Sequence, residues 1–256
     1  MNKNKNIVLF VNDSYFSFLL AKSMIESNHG TISLIVFSKS TVSSWKKVIN
    51  IFKKVSLKYF IYRSFIQVMS AFLYQKKTVG FLADKYKIKK IYVNNSHDLN
   101  DIENNSIGLL FNFDIIVRKN VLTKFKKGIY NIHASKLPRD KGISPVLWAY
   151  VRGDKEIWSS IYKVDEGIDS GPLVKQIKIL TQKKDSAFSL YCRVCIESGK
   201  ELNNILNDIL NDKIKLLNHS KQIESNYLSW PNKEFSLLQK KSKRKLISIK
   251  SFFKYI

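Results

Sequence analysis

The N-terminal segment carries the pattern that decides the fold: residues 6–37 read NIVLFVNDSYFSFLLAKSMIESNHGTISLIVF. Residues 6–11 form an apolar run as long as a buried strand, residues 15–27 place apolar side chains at helical spacing, and residues 31–37 form a second apolar run. A strand, a helix and a strand in this order are typical of a parallel, doubly wound sheet. We therefore predict an α/β, Rossmann-like fold with a mostly parallel sheet flanked by helices. No Gly-x-Gly-x-x-Gly turn follows the first strand, which disfavours a dinucleotide site.

Further apolar runs predict that the sheet continues along the chain. The strands that we expect are 89–93, one within 107–117, 129–133, 159–164 and 173–180. The helices that we expect are 45–75, 120–127, 146–151 and 186–210. The pattern weakens after residue 218, which predicts a loosely attached, basic C-terminal extension. We place a catalytic domain at 1–185 and a helical region with the basic tail at 186–256.

The charge balance points towards an anionic partner. The 256 residues include 44 basic and 20 acidic side chains, for a formal net charge of +24. Nucleic acid, an acidic membrane surface and a phosphorylated substrate all fit such a charge, and so does a compositional bias towards lysine, asparagine and isoleucine. The amphipathic stretch 45–75 fits either a helix on an anionic membrane surface or a core-packing helix with a solvated basic face.

Cysteine usage and the N-terminus indicate a reducing, cytoplasmic location. Cys192 and Cys195 lie within a helical pattern, with no further pair and no nearby histidine. Because a zinc site needs more ligands, we expect a buried, reduced pair and no metal. The apolar run at 7–11 is too short for a signal peptide or a membrane span.

Polar side chains suited to chemistry gather between residues 128 and 171. Residues i and i+2 of a strand share a face, so Asn131 and His133 are expected to point the same way. Two prolines and a glycine stiffen the loop 137–145 that follows, and Asp169 in the turn 165–171 is expected to reach His133. On spacing alone, His133 could equally be a structural histidine that bonds a nearby carbonyl.

These motifs together resemble the catalytic core of the folate-dependent formyltransferases. The matching residues are Asn131-x-His133, Leu137-Pro138, Gly142, Pro145 and Asp165-x-Gly167-x-Asp169-x-Gly171. Asp169 lies thirty-six residues beyond His133 (169 minus 133), as in that family. The resemblance covers residues 90–180 well and residues 6–37 as topology only. The family includes glycinamide ribonucleotide transformylase, methionyl-tRNA formyltransferase and the nucleotide-sugar N-formyltransferases.

The resemblance implies transfer of a formyl group from 10-formyltetrahydrofolate to a primary amine. The catalytic residues that it implies are Asn131, which would stabilise an oxyanion, His133, which would donate or accept a proton, and Asp169, which would orient His133. The residues implied in folate binding are Ile115, Ile116, Val117, Asp165, Glu166 and Gly167. The residues implied in the substrate loop are Ser135, Lys141 and Gly142. The chain departs from the family at Trp158 and Tyr162, among others, which affects substrate fit.

The sequence motifs do not identify the amine that accepts the formyl group. The short C-terminal region disfavours Met-tRNA, because methionyl-tRNA formyltransferases usually bind the tRNA with a C-terminal barrel. We therefore expect a small, anionic amine substrate, a nucleotide-activated 4-amino-4,6-dideoxy sugar for surface polysaccharide. The alternatives are Met-tRNA, or a non-catalytic basic protein that binds a membrane or RNA on the same fold. A peripheral membrane contact fits the basic helix, and the oligomeric state is open, a dimer included.

Overall fold

A seven-stranded sheet forms the centre of the protein in a computed structural model, which describes residues 6–39, 49, 52–219 and 223–255. Its strands are β1 (Ile7–Val11), β2 (Ile32–Ser38), β3 (Lys90–Val93), β4 (Ile107–Phe111), β5 (Ile129–His133), β7 (Glu156–Lys163) and β8 (Leu173–Leu180). A separate ribbon pairs β6 (Lys141–Gly142) with β9 (Tyr227–Leu228). The sheet order is β3-β2-β1-β4-β5-β7-β8.

The sheet is parallel from β3 to β5, and β7 and β8 run antiparallel to their neighbours. Every residue of β1 is buried, as expected for a central parallel strand with helices on both faces. The prediction of a mostly parallel, Rossmann-like sheet is therefore confirmed. The functional edge follows from this topology, because sheets of this kind place their ligands beyond the carboxyl ends of the parallel strands.

Helices cover both faces of the sheet. They are α1 (Tyr15–Asn28), α2 (Leu57–Leu73), α3 (Val79–Lys85), α4 (Lys119–Leu122), α5 (Pro145–Arg152), α6 (Ala187–Leu210), α7 (Lys233–Ser242) and α8 (Ile249–Lys254). Serine caps open several of them: Ser14 accepts a hydrogen bond from the Ser17 amide at the start of α1, and Ser186 forms a capping box with Ser189 at the start of α6. The helices α1 and α6 touch closely, since a Cβ on Gly199 would lie 2.4 Å from the Leu20 carbonyl oxygen.

Three helices differ from the sequence predictions, and one of them is the helix expected over 120–127, which ends at Leu122. The helix expected over 45–75 is interrupted: residues 49 and 52–54 are helical, Val55 and Ser56 are not, and α2 begins at Leu57, where Ser56 caps it by accepting a hydrogen bond from the Tyr59 amide. Residues 40–48, 50 and 51 of that region lie outside the described residues. The sequence pattern did not predict α3, because its four buried residues lie within a single short turn-rich segment. Among the described residues, no helix is both long and apolar enough to cross a membrane.

The prediction of a loosely attached tail is wrong. Phe235 of α7 and Phe252 of α8 are buried in the same core cluster as the strands of the sheet. The Ala187 amide donates to the Lys245 carbonyl at 3.0 Å, and the Trp148 indole donates to the Ser229 carbonyl at 3.0 Å. Isolated aromatic residues, which leave no periodic pattern, therefore fasten the tail to the core. The domain boundary after residue 185 stays a prediction, although α6 packs in this same core.

Replacing Phe252 by alanine tests whether the tail belongs to the core. We expect the free energy of unfolding to fall by about 3–5 kcal/mol, because the lost ring leaves a cavity. Phe252 is 3% exposed and its ring packs against Phe65 and Phe188. Phe253→Ala, at a position 67% exposed, is the matched control and should change little. Urea unfolding measures the free energy of unfolding of both variants. Equal decreases in the two would contradict the packing of Phe252 in the core.

Candidate active site

Two neighbouring strands bring the first polar groups of the site together. Asn131 and His133 lie two residues apart on β5, and antiparallel pairing sets Asn131 opposite Tyr162 of β7. Directly opposed residues in a sheet point to the same face. The Asn131 side-chain amide therefore meets the Tyr162 hydroxyl and donates a hydrogen bond to it at 2.8 Å.

The acidic turn after β7 adds a carboxylate to this pair. Asp169 adopts a left-handed backbone conformation (φ 50°) and is buried. Its Oδ1 accepts a hydrogen bond from the Tyr162 hydroxyl at 2.8 Å, and its Oδ2 accepts one from the Gly142 amide at 2.9 Å. The same Oδ2 lies 3.6 Å from Nε2 of His133. The structure thus brings the three predicted catalytic residues, Asn131, His133 and Asp169, into one network through Tyr162.

The surroundings of His133 determine which ring nitrogen carries the proton. Besides Asp169, the backbone carbonyl of Asp140 lies 3.2 Å from Nε2. Both neighbours of Nε2 are hydrogen-bond acceptors, so we assign the proton to Nε2. In the neutral ring Nδ1 then has a free lone pair and can accept a proton from a substrate.

Asp140 is a supporting residue that the sequence interpretation missed. Its buried carboxylate accepts two hydrogen bonds from the Arg152 guanidinium, at 3.1 and 2.7 Å, and its amide donates to the Asn226 side chain at 2.6 Å. These bonds hold the Asp140 carbonyl against His133. The only signal in the sequence is a carboxylate within the stiff loop, and its partner lies in α5, where only the tertiary structure reveals it.

The three residues expected in the substrate loop take different positions. Gly142 has φ 93°, and a Cβ there would lie 2.5 Å from the Leu228 carbonyl oxygen, so the position needs glycine. Its amide holds Asp169, as described. Lys141 pairs with Tyr227 in the small ribbon. Ser135 is buried, and its carbonyl accepts from the Ser160 hydroxyl at 2.7 Å.

A cavity of about 350 Å³ lies beside the segments predicted to hold folate. It is lined by apolar side chains, among them Leu122, Ile129 and Val164, and by the predicted Asp165 and Glu166. An ion pair of 2.9 Å between Lys119 and Glu166 joins the segment after β4 to the acidic turn. The residues predicted for folate that do not line this cavity are Ile115, Ile116, Val117 and Gly167.

Comparison with known proteins assigns the chain to a family. The sequence model described as "Formyl transferase" matches residues 6–205. The chain belongs to the formyl transferase family. A methionyl-tRNA formyltransferase of Wolbachia pipientis is 39% identical over 97 residues, which are 38% of this chain and 32% of that protein. The bifunctional polymyxin resistance protein ArnA of Wigglesworthia glossinidia is 33% identical over 135 residues, 51% of this chain and 21% of that protein. The alignments therefore span about a third or less of these curated relatives.

Solved structures of formyl transferases share the fold. WlaRD, described as a sugar 3N-formyl transferase, superposes with a TM-score of 0.61 at 19% identity, over 88% of this chain and 69% of that chain. The phosphoribosylglycinamide formyltransferase of Anaplasma phagocytophilum superposes with a TM-score of 0.57 at 21% identity, over 88% of this chain and 98% of that chain. At these identities the similarity shows the fold.

Tyr162, one of the positions expected to depart from the family pattern, bonds both Asn131 and Asp169. Burial raises the pKa of the Tyr162 phenol, and the negative charge of Asp169 raises it further. The hydroxyl therefore stays protonated at physiological pH and donates to Asp169. Trp158, another departure, lies earlier on β7, where the Lys136 ammonium lies over its ring with Nζ 4.6 Å from the centroid.

Metal ligands do not cluster in the part of the chain that the structure describes: no group of three or more His, Cys, Asp or Glu side chains is placed to hold an ion. Cys192 and Cys195 are both buried and are not joined in a disulfide. Burial raises the pKa of Cys195, so its thiol stays protonated and behaves as a small apolar side chain.

Tyr162→Phe tests the bridge between Asn131 and Asp169. Removing the hydroxyl leaves an amide and a carboxylate without their partner, so we expect the free energy of unfolding to fall by about 1–3 kcal/mol. Tyr227→Phe is the matched control, because that residue is 58% exposed and we expect a change within about 0.5 kcal/mol. Urea unfolding at neutral pH compares the two. A Tyr162 variant as stable as the control would show that the bridge contributes nothing.

Proposed function

We propose that this protein transfers a formyl group from 10-formyltetrahydrofolate to a primary amine of a nucleotide-linked amino sugar. The observation that carries the proposal is the network of Asn131, Tyr162, Asp169 and His133 at the end of β5 and on the facing strand. Family membership supports the reaction class.

The network supplies groups suited to formyl transfer. The Asn131 amide has two N–H groups, and one of them is used by Tyr162, so the other can donate to an oxygen that gains negative charge. Nδ1 of His133 can accept the proton that the amine loses when it forms the new C–N bond. Asp169 and the Asp140 carbonyl hold the ring in place.

Folate fits the residues that are present. The cavity of about 350 Å³ beside Asp165 and Glu166 has apolar walls and a polar rim, which suit a flat heterocycle with hydrogen-bonding edges. When bound, 10-formyltetrahydrofolate supplies the carbon that the amine attacks. Two solved relatives support this donor: WlaRD was crystallised with 5-N-formyl-THF, and the N-formyltransferase of Helicobacter canadensis with folinic acid.

The choice of a sugar amine rests on the same relatives and on charge. WlaRD was crystallised with dTDP, and the Helicobacter canadensis protein with dTDP-3-aminofucose. The latter has a TM-score of 0.60 over 90% of this chain and 71% of its own. A nucleotide-linked sugar is anionic, and a chain with a net charge of +24 attracts it. A 4-amino-4,6-dideoxy sugar for surface polysaccharide stays our preferred acceptor.

Met-tRNA is the second candidate acceptor. Curated relatives named methionyl-tRNA formyltransferase support it, and so does the positive charge, which favours RNA. The third possible function is that of a non-catalytic protein with this fold that binds a membrane or RNA. The first two differ in their acceptor, whereas the third lacks formyl transfer altogether.

We further propose that the protein contacts an anionic membrane surface, because α2 carries an apolar stripe that is exposed in the part of the chain that the structure describes. Its exposed members recur at helical spacing and are Leu57, Ile61, Phe65, Val68 and Phe72. α8 extends the stripe with exposed Ile249 and Phe253, since the Phe65 and Phe252 rings pack at 5.5 Å. Exposed lysines accompany it: Lys53, Lys54, Lys58, Lys250 and Lys254. Apolar and basic side chains together suit the headgroup region, whereas a second copy would bring like charges together.

Vesicle co-sedimentation tests the membrane surface. We expect binding to phosphatidylglycerol-containing vesicles at low salt, weakened by high salt and by Phe72→Asp. Leu180→Asp, at an exposed apolar position on β8, is the matched control and should bind as the wild type does. No binding at low salt would refute the membrane proposal. If the wild type binds no vesicles but forms dimers that dissociate in Phe72→Asp, the stripe instead binds a second copy of the chain.

Formyl transfer is tested with 10-formyltetrahydrofolate and a panel of amines, including nucleotide-linked amino sugars and Met-tRNA. We expect turnover with an amino sugar, and a loss of about 100-fold or more in kcat for Asn131→Ala and His133→Ala. His97→Ala, at an exposed histidine outside the site, is the control and should keep its activity.

The outcomes of this assay separate the three candidates. Turnover with Met-tRNA alone would replace the amino sugar as acceptor. The absence of formyl transfer to every amine would refute the enzyme and favour the non-catalytic protein. Unchanged turnover in His133→Ala would refute the role of the network even if the activity is present.

A further inference from the structure

The turn that carries Asp169 is bonded by a distant segment of the chain that lies between α6 and β9. Leu217 of this segment pairs with Leu173, the first residue of β8, and their backbone amides donate to each other's carbonyls at 2.7 and 2.8 Å. Two residues further on, Nε2 of His219 lies 2.7 Å from the carbonyl oxygen of Gly171. Both contacts fall directly after Asp169, where the turn leads into β8.

The His219 ring acts as a hydrogen-bond donor to this turn. A carbonyl oxygen can only accept, so the ring proton of His219 lies on Nε2. Nδ1 of the same ring is buried and has no hydrogen-bond partner in the part of the chain that the structure describes. The opposite tautomer would aim a lone pair at the Gly171 carbonyl and bury an N–H without an acceptor, which is unfavourable. The surroundings therefore fix both the tautomer and the role of His219.

The place of Gly171 determines where Asp169 can put its carboxylate, because only Ser170 separates the two residues. Gly171 lies so close to β7 that a Cβ there would be 1.8 Å from the Lys163 carbonyl oxygen. Asp169 itself has a left-handed backbone (φ 50°), which a residue with a side chain keeps only when its surroundings hold it there. The His219 hydrogen bond therefore contributes to the geometry of the Asp169 carboxylate.

The connection between α6 and β9 also reaches the other acceptor that faces His133. Asn226, directly before β9, accepts from the Asp140 amide at 2.6 Å, and its side-chain amide donates to the Asp140 carboxylate at 3.2 Å. His219 bonds the turn of Asp169, and Asn226 bonds Asp140, whose carbonyl faces Nε2 of His133. One connection thus supports both groups that lie against that nitrogen.

We propose that His219 is a positioning residue for formyl transfer, which holds the Asp169 carboxylate against His133 through the Gly171 carbonyl. The proposal rests on the proposed function, because it takes His133 to accept the proton of the amine. Without the His219 N–H the turn shifts, and the 3.6 Å separation between Asp169 Oδ2 and His133 Nε2 is no longer kept. Since a misplacement of about 1 Å can lower a rate about 100-fold, kcat depends on His219 more than KM does.

Kinetics of formyl transfer test the positioning role with matched substitutions. His219→Phe keeps a ring and removes the N–H, so we expect kcat to fall about 10-fold while the KM for the amine changes less than about 2-fold. His219→Gln places an amide N–H at a similar distance from the backbone and should restore most of kcat. His97→Phe makes the same substitution at an exposed histidine and should keep the wild-type kcat. Should His219→Phe not fold, His219→Asn replaces it, because the shorter amide ends near the place of Nδ1.

Nitrogen NMR of the His133 ring provides a readout that needs no turnover. We expect its nitrogen signals in His219→Phe to move towards those of Asp169→Asn, and in His219→Gln to match the wild type. Unchanged kcat and unchanged His133 signals in His219→Phe, or no recovery in His219→Gln, would overturn the positioning role. If the wild type transfers no formyl group, the proposed function fails, and the NMR comparison still decides whether His219 positions Asp169 against His133.

Discussion

The Asp169 carboxylate is the group on which the site depends. One of its oxygens accepts from Tyr162, and the other accepts from the Gly142 amide and faces His133. A buried carboxylate needs such donors, because leaving it without them costs several kcal/mol. The same bonds that stabilise Asp169 therefore fix the positions of the strand residue Tyr162, the loop residue Gly142 and the His133 ring relative to one another.

The supports of this carboxylate extend to distant parts of the chain. Gly142 lies in β6, which pairs with β9 of the C-terminal segment, and the Ile143 amide donates to the Leu228 carbonyl at 2.9 Å. Asn226 of that segment bonds the backbone amide of Asp140, whose carbonyl faces His133. The C-terminal region, which Phe235 and Phe252 anchor in the core, thus helps to hold the loop that contains Asp140 and Gly142.

Local patterns in the sequence predicted the parts of this arrangement that depend on periodicity or on motif. Apolar runs located the strands of the sheet, and the spacing of Asn131, His133 and Asp169 indicated the constellation that the structure brings together. The sequence did not indicate that Tyr162 bridges Asn131 and Asp169, because this requires the register between β5 and β7. It also missed the tail packing and the Asp140–Arg152 pair, which are long-range contacts with no local period.

Asp169 and the Asp140 carbonyl keep the proton on Nε2 of His133 and leave Nδ1 to accept one. Nitrogen NMR of the ¹⁵N-labelled protein at a pH where His133 is neutral measures this directly, with His133→Ala assigning the signal among the four histidines. We expect the Nε2–H tautomer in the wild type and a mixture of tautomers in Asp169→Asn, whose side-chain amide can turn a donor towards the ring. A wild-type ring protonated on Nδ1 would contradict this assignment of the proton.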